Sequence, residues 1–120
     1  MTILQINTNL AKSQIPDGFL LRASKETARI FGKPEAHVSV ALKPDQLMTF
    51  SGTTEPCASV EVSSIGTFAS GSNNQKIASE ITELVHNELG IDKKRFYVVL
   101  TDLQADRVAC DGDLLAKFFK

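Results

Sequence analysis

The most versatile reactive side chains here are two histidines and two cysteines, and their spacing argues against a shared site. His37 and His86 fall on different expected elements, and neither has a cysteine or carboxylate at a metal-ligand spacing, so no metal is expected. His86 reads as a helix-surface residue. Cys57 opens "CASV" rather than a Cys-x-x-Cys pair and lacks the resolving thiol of a dithiol redox site. Together with Cys110 it is expected to be an ordinary buried or half-buried thiol. Gly52, Gly66 and Gly71 form neither a dinucleotide fingerprint nor a phosphate loop, each of which needs fixed glycine spacing ahead of a helix, and they read as turns. Glu55 and Glu61 are isolated carboxylates with no partner placed for acid–base work. Lys33, just past an expected helix end, is accounted for by attraction to the negative helix terminus, worth roughly 0.3–1 kcal/mol. No cofactor is expected from these residues.

The 120-residue chain fits one domain spanning 1–120. Thirteen basic residues balance 14 acidic ones, for a net charge of −1 with no basic run, so nucleic acid and anionic membranes are not expected partners. The start lacks the basic segment and apolar stretch of a signal peptide, and no apolar run approaches the roughly 20 residues of a membrane span. A cytoplasmic protein is expected, with any export by a leaderless route.

The elements that must carry these residues fall into two similar halves. "MTILQINTN" alternates as a strand. In "IPDGFLLRASKETARIFGKP", Pro16 and Asp17 suit a first helical turn, Leu20, Ala23, Thr27, Ile30 and Phe31 recur at helical spacing, and Gly32 and Pro34 stop the helix. "HVSVALK" alternates as a half-buried strand, and "PDQLMTFSGTTEP" predicts a turn, a short extended piece at Leu47 to Phe50, and a loop. "CASVEVSSIG" is a further strand. After a small-residue loop, "GSNN", Ile77, Ile81, Leu84, Val85 and Leu89 form a helical stripe closed by Gly90. "RFYVVLT", apolar on both faces, reads as a central or interface strand.

Gly32 and Gly90 lie 58 residues apart, and the same offset relates Val38, Val40 and Leu42 to Phe96, Val98 and Leu100. A repeated strand–helix–strand unit, about 1–58 and 59–120, is the simplest reading. Right-handed crossovers then put both helices on one face of a four-stranded sheet. The other face is left open, which predicts a homo-oligomer with sheets facing one another.

"NTN" after the first strand, "PDGFL", "GKP", "PDQLM", "SGTTEPCA" and "SIG", in this order, resemble the macrophage migration inhibitory factor and D-dopachrome tautomerase family over nearly the whole chain. The resemblance implies a homotrimer of monomers built from two βαβ units, sheets lining a central channel, and a cell-surface receptor as a further partner. It also implies keto–enol tautomerisation of substrates such as phenylpyruvate or D-dopachrome methyl ester. In that chemistry an N-terminal proline, exposed by methionine removal, shuttles the proton.

Thr2 stands at the proline position. With Met1 removed, it would offer a primary amine of reference pKa roughly 7.7–8.0. Lys33 of "GKP" corresponds to the family lysine on the substrate carboxylate, Ile65 of "SIG" to a pocket contact, and Tyr97 of "RFYVV" to a tyrosine lent by a neighbouring subunit. Val99 replaces a hydrogen-bonding asparagine. Ala109, Cys110 and Asp111 replace a glycine–tryptophan–asparagine stretch, and Asp111 would repel a carboxylate. "GDLLAKFFK" does not resemble the family's end and is expected to be an extra strand or short helix at the subunit interface. Ser59 and Val60 follow "CA", so the Cys-x-x-Cys of the cytokine-type member is broken. The leading expectation is a cytokine-like or other protein-binding factor with weak or absent tautomerase activity. The rivals are a tautomerase using the Thr2 amine or another base, and a regulatory subunit of mixed trimers.

Overall fold

A computed structural model of the chain describes residues 1–118. Strand β1 (Thr2–Thr8) is followed by helix α1 (Phe19–Phe31), strands β2 (Val38–Lys43) and β3 (Ala58–Ile65), helix α2 (Gly71–Leu89) and strand β4 (Phe96–Leu103). A hairpin of β5 (Ala109–Cys110) and β6 (Asp113–Leu114) precedes a 3-10 turn at Leu115–Phe118. The main sheet has the order β2-β1-β3-β4. Strands β1 and β3 are its antiparallel centre, and each takes its own βαβ partner in parallel on the outside.

Alternation along the strands sorts the two faces. Leu4, Ile6, Ala58, Val60 and Val62 point to one side and share a core with Phe19, Ala23 and Phe31 of α1 and Ile77, Ile81, Val85 and Leu89 of α2. Both helices therefore cover one face, as the repeat requires. The opposite face carries Gln5, Ser59, Glu61, Tyr97 and Val99, all exposed. Ion pairs of Arg22 with Glu88 and Arg29 with Glu80 join the helices across their outer surface.

Several local expectations need correction. Helix α1 starts at Phe19, because Gly18 at φ 74° turns the chain and leaves Pro16 and Asp17 in the preceding turn. That register buries Phe19 and exposes Leu20. "GSNN" is the first turn of α2, since the Ser70 side chain caps the helix by accepting from Asn73 N; Gly71 is thus helical, not a turn glycine. The piece at Leu47 to Phe50 joins no sheet, and its Phe50 bridges to Thr53. Strand β4 is an edge of this sheet rather than its centre, and its outward Tyr97 and Val99 are 74% and 50% exposed. The C-terminal segment contains both expected alternatives, a hairpin and a short helix. Its turn is Asp111-Gly112 with φ of 54° and 80°, the signature of a tight hairpin that explains this aspartate locally.

Candidate active site

Of the residues singled out, Lys33 and Ile65 come together beside the N-terminal residue, Met1. Strand β1 pairs Thr2 with Ser64, so Met1 lies one step further along, beside Ile65 at the end of β3. Lys33 reaches the same end from α1. Gly32 adopts a left-handed φ of 62°, Gly32 N bonds Arg29 O at 3.2 Å, and Lys33 N bonds Ala28 O at 3.0 Å. This closure is the usual way a glycine ends a helix, and it throws Lys33 out beside the start of β1.

The Met1 amine has its pKa lowered from 8.0, first by partial burial and second by the nearby Lys33 ammonium, both of which disfavour adding a proton. Ser64 Oγ donates to the Met1 carbonyl at 3.1 Å and also meets Thr67 Oγ1 at 2.8 Å. The corner after Ile65 turns at Gly66, whose N–H is accepted by Asp102 Oδ1 at 3.1 Å. This end of the sheet thus offers an amine with reduced proton affinity, a cation suited to a carboxylate, and a fixed backbone corner. Such a set can bind a small anion and exchange a proton with it.

Thr2 itself points inward. It is 1% exposed, on the face of Leu4 and Ile6, and its hydroxyl is buried with no hydrogen-bond partner. Its side chain therefore takes no part in the open site. Tyr97 lies at the far end of β4, opposite Ser59, while Leu103 is opposite Ile65. Six residues of strand separate these rungs, about 20 Å. Within one chain Tyr97 and Lys33 do not meet. Tyr97 instead packs on Phe50, ring centroids 5.1 Å apart, beside Arg95. Val99 occupies the middle of the open face, opposite Glu61.

Cys110 is exposed in the hairpin, contrary to the buried or half-buried thiol expected, whereas Cys57 is buried. His37 is exposed; His86 is half-buried, with Nδ1 2.8 Å from Ile91 O. Among the described residues no cluster of three or more histidine, cysteine or acidic residues could hold a metal ion. Among the described residues no helix is long and apolar enough to cross a membrane. Sequence reasoning missed Ser64 and Asp102. Their alternation and ladder positions were visible, but the contacts depend on the corner at Gly66.

Comparison with known proteins agrees with this architecture. Residues 1–116 match the family model described as macrophage migration inhibitory factor. The chain is 35% identical over 116 residues to macrophage migration inhibitory factor of Rattus norvegicus, covering 97% of this chain and 100% of the relative. It is 36% identical over 112 residues to a homologue from Brugia malayi, covering 93% and 96%. The solved structure of the factor from Trichinella spiralis superposes with a TM-score of 0.86 at 32% identity, covering 92% of this chain and 96% of that one. A homologue from Prochlorococcus marinus gives 0.85 at 32% identity, covering 94% and 98%. By sequence over nearly its whole length and by its paired βαβ sheet, the chain belongs to the macrophage migration inhibitory factor family.

Proposed function

We propose that this protein is an oligomeric, cytokine-like or other protein-binding member of its family, with weak or absent tautomerase activity. The observation that carries this reading is Thr2 in place of the family's N-terminal proline. A primary amine lacks the ring that presets the proline nitrogen, and retention of Met1 would displace the amine by one residue. Val99 and Asp111 depart from what the resemblance implies at their positions as well. The decisive experiment is phenylpyruvate tautomerisation by the native chain beside Thr2→Pro, with removal of Met1 from each checked by intact mass. Activity only in Thr2→Pro supports the proposal, and turnover by the native chain at the rate of an active relative overturns it.

The second reading is a keto–enol tautomerase that uses the Thr2 amine or another base. The amine of a retained Met1, with its lowered pKa and Lys33 at its side, is one such base. Lys33 and Ile65 would then bind the substrate, and Tyr97 would come from another copy.

A homotrimer over a single domain, 1–120, accompanies both readings. Leu47 is fully exposed, and Tyr97 and Val99 add apolar surface on the open sheet face. Such surface is more readily explained by a second copy than by solvent. Light scattering at micromolar concentration is expected to give three chains per particle, and a stable monomer refutes this. Cytoplasmic residence, leaderless export and a cell-surface receptor belong to the same proposal and rest on family membership.

A further inference from the structure

Thr2 is the first residue of β1 to pair with a neighbouring strand, and Met1 lies just before it. A side chain reaches Met1 there: Ser64 Oγ, on a residue 1% exposed, donates to the Met1 carbonyl at 3.1 Å. A serine hydroxyl has one proton. With that proton on Met1, the Thr67 hydroxyl donates to Ser64 across the 2.8 Å contact, its other acceptor, Ile65 O, being further away at 3.4 Å. Thr67 in turn is carried by the corner at Gly66, where φ is 69°. Asp102, opposite Ser64 in the β3–β4 ladder, holds that corner by accepting from Gly66 N at 3.1 Å. From the other side, Asn73 Nδ2 donates to Thr67 O at 3.2 Å and Asn74 Nδ2 to Phe68 O at 3.0 Å. Side chains from β3, β4 and α2 thus converge on three successive residues, Gly66, Thr67 and Phe68, and the chain of contacts ends on the residue that carries the amine.

We propose that Ser64 and Asp102 are positioning residues that hold the N-terminal amine beside Lys33, Ser64 through the Met1 carbonyl and Asp102 through the corner that aligns Thr67 with Ser64. The proposal rests on the reading that Met1, Lys33 and Ile65 form the functional site. Its consequence is physical: a terminus freed from Ser64 frays into water, where its amine regains solvation and moves away from the Lys33 charge. Both changes raise its proton affinity.

The test is the pH profile of N-terminal carbamylation by cyanate. It is read by mass spectrometry of the N-terminal peptide, on protein whose intact mass shows Met1 retained. Ser64→Ala and Asp102→Ala are each expected to move the midpoint upward, and Asp102→Asn, which keeps an acceptor oxygen for Gly66, to stay near the native profile. Asp102 is exposed, so its variants are expected to fold and decide the matter even where Ser64→Ala does not. A native midpoint in Asp102→Ala overturns the proposal for Asp102, and a native midpoint in Ser64→Ala overturns it for Ser64, whatever happens to thermal stability. Phenylpyruvate turnover of the same set separates the two levels. Shifted midpoints without turnover in any protein leave the positioning role standing and remove the enzyme reading; turnover with unshifted midpoints does the reverse.

Discussion

Thr8 Oγ1 donates to the carbonyl oxygen of Cys57 at 2.7 Å and accepts from Leu10 N at 3.2 Å, deep in the core. The bonds tie the exit of β1 to the entry of β3 where the ladder ends. Thr8→Val keeps the shape of the side chain but strands a buried carbonyl and a buried amide. A loss of roughly 1–3 kcal/mol is expected. Urea denaturation followed by circular dichroism measures it, and an unchanged midpoint would mean that both backbone groups find other partners.

Thr2 sits on the same face of the same strand and should behave in the opposite way. Its hydroxyl is buried without a partner, so it bears a desolvation cost with no bond in return. Thr2→Val is expected to leave stability unchanged or raise it, by up to roughly 1–3 kcal/mol. The comparison of Thr2→Val with Thr8→Val in one denaturation series checks both signs, and equal destabilisation by the two would contradict this account.

Arg95 donates to four backbone carbonyls, those of Phe50, Glu55 and Pro56 at 3.0 Å and that of Thr53 at 3.4 Å. Its planar group also lies over the Phe50 ring, 5.7 Å from the centroid. A lysine has neither the fork nor the flat face needed for this arrangement. Arg95→Lys is therefore expected to loosen residues 50–56 almost as much as Arg95→Ala. Amide hydrogen exchange should show faster exchange in that loop for both, and protection in Arg95→Lys equal to the native level would disprove the geometric reason.

The Met1 amine makes stability depend on pH in a defined direction. Its folded pKa lies below the unfolded 8.0, so the unfolded chain binds more protons in the interval between the two values. Stability should rise with pH through that interval and level off above about 8. Thermal melts of the native chain across this range should show the slope, and N-terminal acetylation should abolish its share. A slope unaffected by acetylation would assign the effect to another group.

Much of the scaffold was legible because it follows periodicity. The alternation of β1 and β3, the α2 stripe and the 58-residue offset all report burial on one face, which is what a sheet covered by two helices demands. What failed was local backbone chemistry. Helical spacing runs through Gly18, which in fact starts the helix, the small residues of "GSNN" mimic a loop although Ser70 caps them into α2, and the hairpin turn at Asp111-Gly112 rests on two residue types with no flanking alternation. The site was legible to the extent that Lys33 follows a helix-ending glycine and Ile65 ends a strand. That Met1 lies beside both follows from strand order, and the part of Ser64 and Asp102 from a side-chain geometry that no spacing encodes. Tyr97 was placed by resemblance and lies at the other end of the sheet.

The antiparallel pairing of β1 with β3 sends the corresponding ends of the two repeats to opposite ends of the sheet. At one end the residue after the helix-ending glycine is Lys33, exposed beside the Met1 amine. At the other it is Ile91, fully buried, with its carbonyl at the His86 ring, and Arg95 pins the loop leading into β3. The duplicated architecture therefore has one end with a solvent-facing cation and one end closed by its own side chains. On the proposed reading one small ligand per chain is expected, so a saturating titration would count chains rather than repeats.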